Sequence, residues 1–144
     1  MIPFYVMVAA IVVARAAGAV GVGPLDSWPD AVRAGLAVMF VFTGAAHFTK
    51  DRADLIRMVP PSLSNPAALV TASGIAEIAG AIGLMVPAVR TWAAIGLIVL
   101  LAAVFPANVH AAQTGHTIRG RRHTPMWIRG PLQMLWVILL WWVG

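Results

Sequence analysis

The sequence contains no cysteine, and this absence removes several kinds of chemistry at once. Disulfide bonds, zinc sites built on thiolates, cysteine-ligated iron–sulfur clusters and thiol redox catalysis all need a cysteine side chain. None of them can be built within this chain. Any redox role must therefore depend on a bound molecule or on another protein.

Charged residues are also scarce, at 10% of the 144 positions, whereas 60% of the positions are hydrophobic. Soluble domains carry roughly 25% charged residues. The apolar residues form long uninterrupted runs, which the amphipathic helices of soluble proteins do not have. These two features exclude a water-soluble globule. The length allows one domain, which we take to span residues 1–144.

Five apolar runs are long enough to cross a bilayer as helices, which takes about 20 residues each. Pairs such as Gly23-Pro24 and Asn65-Pro66 separate the runs as helix breakers. Arg15 interrupts the first run, so we expect a retained helix and not a cleaved signal peptide. The sequence thus predicts an all-α, polytopic transmembrane bundle with spans at residues 2–22, 31–48, 67–86, 91–112 and 126–143.

The basic residues are concentrated in the second and fourth loops, which the five spans place on one side of the membrane. Lys and Arg are enriched in short cytoplasmic loops. This bias predicts a cytoplasmic N-terminus and an external C-terminus, and it fits an anionic leaflet better than a nucleic-acid partner. The residues concerned are Lys50, Arg52, Arg57, Arg119, Arg121, Arg122 and Arg129.

Small residues spaced four apart mark predicted packing faces in the third and first spans. They are Ala76 with Gly80, Ala79 with Gly83, and Ala14 with Gly18. Such pairs let two helices approach closely in lipid. The contact can lie within the bundle or between the subunits of a homo-oligomer.

Glu77 is the most informative polar residue, because it lies about ten residues into the third span and hence near the predicted midplane. A carboxyl group at that depth needs a partner or a purpose. Three interpretations stay open. Glu77 forms an ion pair with Arg15, or it is protonated and bonded to a backbone carbonyl, or it binds a ligand or relays protons.

A second set of polar residues falls near the cytoplasmic ends of three spans, and Ser73 shares a face with Glu77 at i−4. The spans run in alternating directions, so their polar ends are predicted to meet. His47 at a helix end and Arg129 near lipid phosphates also have simpler explanations as interface residues. The predicted ligand-binding or proton-relay site consists of Glu77, His47, Asn108, Gln133, Arg129, Ser73 and His110.

Metal binding and nucleophilic catalysis are not expected. No pair of His, or of Glu and His, occurs at the helical spacing that metal sites use. Ser73 has no His or Asp at a spacing typical of a catalytic triad, and glycine-rich phosphate loops are absent.

Several short motifs resemble those of the DoxX-like membrane proteins over Arg33 to Trp142, about three-quarters of the chain. They are Phe42-Thr43-Gly44-Ala45-Ala46-His47-Phe48, Met58-Val59-Pro60, Gly74-Ile75-Ala76-Glu77-Ile78-Ala79-Gly80-Ala81, Phe105-Pro106-Ala107-Asn108 and Arg129-Gly130-Pro131-Leu132-Gln133. The resemblance implies a four-helix core, here the second to fifth spans, with the first span as an N-terminal addition.

The same resemblance implies a bacterial cytoplasmic membrane protein that is associated with an oxidoreductase, such as a thiosulfate:quinone oxidoreductase. Two departures are evident. The chain has no cysteine for thiol chemistry, and it has His47 where related proteins often have Lys.

These observations lead to one functional hypothesis and two alternatives. The hypothesis is a membrane subunit that binds a lipophilic molecule, with a quinone as the leading candidate. His and Asn side chains can donate to the carbonyl oxygens of a quinone, and electrons would come from an oxidoreductase partner. The alternatives are a non-catalytic membrane scaffold or assembly factor, and a small proton-coupled transporter.

Overall fold

The computed structural model describes residues 2–114, 117–118, 121–122 and 125–144, and it is almost entirely helical. His116, Arg119 and His123 lie outside the described residues, and of Arg121 and Arg122 only the backbone is described. The helices are α1 (Ile2–Ala19), α2 (Trp28–Ala46), α3 (Arg52–Met58), α4 (Pro66–Met85), α5 (Arg90–Gln113) and α6 (Met126–Val143). A 3₁₀ turn covers Gly23–Leu25, and β1 (Thr117–Ile118) pairs antiparallel with β2 (Arg121–Arg122).

Five of these helices, all except α3, are long and apolar enough to cross a membrane. The predicted five-span helical bundle is therefore confirmed, and each boundary falls within three residues of its prediction. The short α3 was not predicted, because its residues read as a proline-flanked loop. Which terminus faces the cytoplasm stays a prediction.

Local sequence signals explain where the helices begin. The hydroxyl of Ser27 accepts a hydrogen bond from Asp30 N at 3.2 Å, which caps the first turn of α2. Asn65, in the left-handed region at φ 53°, accepts from Ala68 N at 3.3 Å with its side chain and starts α4. Proline follows each cap within the first two helical positions, where its missing N–H is not needed.

Helices α2, α4, α5 and α6 form the bundle, in which α2 packs on α4, α4 on α5, α5 on α6 and α6 on α2. Helix α1 packs on α2 and contributes less to the core. A four-helix core with one added N-terminal helix is thus observed. The three glycines of the predicted packing pairs serve contacts within the chain, since Gly80 faces Leu97, Gly83 faces Ala93 and Gly18 faces Leu25, whereas Ala76 and Ala79 are exposed.

The main cluster of buried hydrophobic side chains occupies one half of the bundle. This half contains the start of α2 and of α5 and the ends of α4 and α6. At its edge Arg33 is only 7% exposed, pairs with Asp30, and donates to Val143 O through Nε (3.1 Å) and a terminal nitrogen (3.0 Å). The largest fully buried side chains are Leu36, Met39, Leu84, Leu97, Leu140 and Val143.

The other half of the bundle contains all seven residues of the predicted site, and each of them is half-buried there. By the predicted orientation this is the cytoplasmic half. The candidate site therefore lies in the half of the bundle opposite the hydrophobic cluster.

Candidate functional site

Four polar side chains form a ladder between α2 and α4. Thr43 in the last turn of α2 is four residues before His47, which caps the C-terminus of that helix, and Ser73 and Glu77 are one turn apart on α4. Residues at i and i+4 lie on one face of a helix. Because the two helices are antiparallel, the Thr43 hydroxyl bonds to Glu77, and Ser73 Oγ lies 3.1 Å from His47 Nδ1.

Two glycines allow the helices to come this close. A Cβ built on Gly44 would lie 2.8 Å from Ile78 Cγ1, and one built on Gly74 would lie 2.6 Å from His47 Cβ. Side chains at these positions would separate α2 from α4. The ladder therefore depends on residues that carry no polar group themselves.

The position of the His47 proton follows from its neighbours. Nδ1 lies 2.7 Å from Val70 O, and a carbonyl oxygen can only accept, so Nδ1 carries a hydrogen and donates it. In neutral His47 the other nitrogen, Nε2, is then a bare acceptor. Nε2 lies 3.5 Å from Glu77 Oε1, so the backbone contact aims the imidazole at the carboxyl group.

His47 and Glu77 together therefore accommodate one exchangeable proton. It resides on the carboxyl group beside a neutral imidazole, or on the imidazole beside a carboxylate, and both arrangements are neutral overall. A neutral pair suits a low-dielectric setting better than an isolated charge does. The side chains are 13% and 12% exposed, which leaves a small accessible surface at the pair.

Thr43 fits both charge states of Glu77. Its Oγ1 contacts Glu77 Oε2 and also lies 3.1 Å from Met39 O, but a hydroxyl has only one hydrogen to donate. Beside a carboxylate, Thr43 donates to Glu77. Beside a protonated carboxyl group, it accepts from Glu77 and donates to the carbonyl of its own helix.

The alternative of an Arg15–Glu77 ion pair does not occur in the structure. Arg15 instead donates to Leu25 O at 3.3 Å and to Asp26 O, and its guanidinium carbon lies 5.1 Å from the centre of the Trp28 ring. The turn after α1 folds back over Arg15 and supplies these acceptors, whereas Glu77 meets Thr43 and His47 on α2.

The remaining predicted residues form a second group, between α5 and α6. Arg129 donates to Asn108 Oδ1, and Gln133 Nε2 donates to Leu101 O at 2.9 Å. His110 lies on the same part of α5, where its carbonyl accepts from Thr114 Oγ1 at 2.8 Å. Within the described ranges no hydrogen bond joins Asn108, Arg129 or Gln133 to His47 or Glu77, so the residues of the predicted single cluster fall into two groups.

Two shallow grooves on the bundle are apolar and contain none of the predicted site residues. The first, of about 290 Å³, lies between α5 and α6 and is lined by Ile95, Ile98, Val99, Val137, Ile138 and Trp141. The second, of about 260 Å³, lies between α2 and α4 and is lined by Ala37, Val38, Val41, Ala81, Ile82 and Met85. Among residues 2–114 and 125–144, no three His, Asp or Glu side chains come close enough to hold a metal ion.

Two contacts were not predicted from the sequence: Thr43 as a member of the site, and Arg33 as a buried structural contact. Thr43 had a visible signal, since it precedes His47 by four residues, as Ser73 precedes Glu77. Arg33 had none, because its acceptor is a backbone carbonyl 110 residues further along the chain.

A family model described as Domain of unknown function (DUF8561) matches residues 36–144 of the chain. This range includes the last eleven of the 19 residues of α2 and all of α3 to α6, and it leaves α1 outside. No curated protein and no solved structure matches the chain. The resemblance to DoxX-like proteins stays a prediction.

Proposed function

The chain belongs to the family called Domain of unknown function (DUF8561), and from its own site we propose that it is a membrane subunit binding a lipophilic carbonyl compound at the His47–Glu77 pair. A quinone is the leading candidate. We place this function in an oxidoreductase system of the bacterial cytoplasmic membrane, in keeping with the DoxX-like resemblance.

The observation that carries this proposal is the oriented pair itself. His47 Nε2 lies 3.5 Å from Glu77 Oε1, while Nδ1 is fixed by Val70 O. A purely structural contact between two helices can be made by any polar pair. A pair that holds one transferable proton, inside a bundle of membrane-spanning length, is suited to exchange that proton with a bound molecule.

Reduction of a quinone to a quinol takes up two electrons and two protons. An oxidoreductase partner supplies both electrons. The His47–Glu77 pair supplies one proton to one carbonyl oxygen, and water at the polar end of the bundle supplies the second proton to the other oxygen. Since α2 ends at Ala46, directly before His47, the pair can be reprotonated from the polar end of the bundle.

The test is mass spectrometry of lipophilic molecules retained after gentle detergent purification. Wild type and Glu77→Gln are compared with Asp26→Asn, which also removes a carboxylate but lies in the exposed turn after α1. We expect one carbonyl-containing lipophile in wild type and in Asp26→Asn, and its depletion in Glu77→Gln. Equal retention by all three proteins would contradict the assignment of Glu77.

A scaffold is the second candidate, and the groove between α5 and α6 is the observation that favours it. Its six lining side chains are all apolar, which suits a helix of another membrane protein. A stoichiometric membrane partner that co-purifies with a wild-type protein free of small molecules would support the scaffold over the quinone subunit.

A further inference from the structure

The indole N–H of Trp136 is a buried hydrogen-bond donor without a partner among the described residues. Two buried side-chain nitrogens have no hydrogen-bond partner among the described residues, Arg90 Nε and Trp136 Nε1. Arg90, the first residue of α5, has four further N–H groups on its guanidinium. The indole of Trp136 has a single donor, and buried donors in proteins are almost always satisfied.

Trp136 lies on the face of α6 that points into the bundle. Arg129, Gln133, Trp136, Leu140 and Val143 follow each other at intervals of three or four residues, which places them on one side of the helix. Leu140 and Val143 are fully buried, and Trp136 packs against the same core. Its indole is therefore turned towards the other helices.

The helix contacts also place Trp136 at the depth of Glu77. Gly80 faces Leu97, so Glu77 on α4 is level with Leu100 on α5. Gln133 bonds to Leu101 O and Arg129 to Asn108, so Leu100 is level with the part of α6 from Met134 to Val137. Trp136 falls in that stretch, within one helical turn, about 5.4 Å, of the level of Glu77.

We propose that the binding site extends to α6, where Trp136 donates its indole N–H to a carbonyl oxygen of the ligand. This inference rests on the proposed function and specifies it further. The ligand then contacts the proton-holding pair on α2 and α4 and a pure donor on α6. A compound with two carbonyl oxygens, such as a quinone, satisfies both, whereas a hydrocarbon or an ammonium compound does not satisfy the indole donor.

The experiment measures equilibrium binding of a decyl-substituted benzoquinone to the detergent-solubilised full chain. The proteins are wild type, Trp136→Phe, Glu77→Gln and the matched control Trp127→Phe, whose indole is on the same helix but 77% exposed. Loss of one hydrogen bond weakens binding roughly three- to ten-fold. We expect that loss in Trp136→Phe, none in Trp127→Phe, and a loss in Glu77→Gln.

Two further measurements separate a ligand contact from a packing role. Decylbenzene, which has no carbonyl group, should bind wild type and Trp136→Phe equally. In wild-type protein labelled with ¹⁵N-tryptophan, adding the quinone should shift the indole N–H resonance that is missing from Trp136→Phe. An equal loss of quinone and decylbenzene in that variant, or an unmoved resonance, would overturn the inference.

The outcomes also distinguish this inference from the function on which it rests. Quinone binding that depends on Glu77 but is the same in Trp136→Phe and wild type would overturn the Trp136 contact alone. Binding that depends on Trp136 but not on Glu77 would overturn the proposed role of the pair. A wild-type protein that binds no quinone would overturn both.

Discussion

Gly74 packs directly against the ring of His47, and a Cβ built at this glycine would come within 2.6 Å of His47 Cβ and 2.9 Å of its Cγ. Gly74 thus contacts the base of the His47 side chain, while Val70 O and Ser73 Oγ on the same face of α4 contact its Nδ1. The orientation of the His47 imidazole towards Glu77 thus depends on the packing between α2 and α4. A substitution of Gly74 can test this dependence.

The Gly74→Ala substitution should destabilise the bundle and disturb the site together. The added methyl group must displace His47 or separate the helices, and overpacking of this kind costs about 1–3 kcal/mol. The measurement is thermal unfolding in detergent. Gly96→Ala is the control, because a Cβ at Gly96 meets no atom within 4 Å. A Gly74→Ala protein as stable as this control would contradict the described packing.

Arg33→Met should lower the free energy of unfolding by about 1.5 to 3 kcal/mol, the range for hydrogen bonds from a charged group. The substitution keeps an unbranched side chain but leaves Val143 O without its two donors. Titration with a denaturing detergent measures the change. Arg57→Met removes an exposed cation whose partner among the described residues is Asp54 of the same helix, and it should leave stability unchanged.

His47→Asn and His47→Gln should differ in stability although both remove the imidazole that can take up the proton of Glu77. The amide nitrogen of Asn can take the place of Nδ1 and donate to Val70 O, whereas the longer Gln places its amide nearer the position of Nε2. We expect His47→Asn to unfold at the higher temperature of the two. The reverse order would argue against the contact between Nδ1 and Val70 O.

Thr43→Val and Thr43→Ser test the contact between the hydroxyl and Glu77. Infrared spectra of the protonated carboxyl group should show its C=O band shifted in Thr43→Val, which has no hydroxyl, and nearly unchanged in Thr43→Ser. The band is assigned by its absence from Glu77→Gln. A C=O band at the same frequency in wild type, Thr43→Val and Thr43→Ser would show that Thr43 does not bond to Glu77.

The orientation prediction can be tested directly because the chain contains no cysteine. Single cysteines at Lys50 and at Asp26 each provide the only thiol for a membrane-impermeant reagent. We expect the reagent to label Asp26→Cys in intact cells, and Lys50→Cys only after the membrane is permeabilised. The opposite pattern would invert the assignment of inside and outside.

The helices could be predicted from the sequence because span length and apolar character are local properties. The identity of the polar residues was equally visible, since any polar residue in an apolar run stands out. Their partners could not be predicted, because each partner depends on how a helix is rotated. Asn108 and Glu77 share the predicted half of the membrane, yet Asn108 bonds to Arg129 and Glu77 to Thr43.

Hydrogen bonds to backbone carbonyls explain the other differences between the expected and the observed partners of the polar side chains. Arg15 was considered as a partner of Glu77, but it bonds to carbonyls in the turn that follows α1. His47 is fixed by the carbonyl of Val70, and Gln133 by that of Leu101. Every residue carries a carbonyl group, so the sequence contains no signal that one particular carbonyl will be used.

The bond between Arg33 and Val143 also has a consequence for biosynthesis. Arg33 is synthesised 110 residues before its acceptor, which at about 5–20 residues per second is a delay of roughly 5 to 22 s. During that time Asp30, one turn away on the same helix and already synthesised, is available as the counter-charge of Arg33. We therefore expect the nascent α2 to enter the membrane with a locally neutralised arginine, whose two bonds to Val143 O form once α6 has been synthesised.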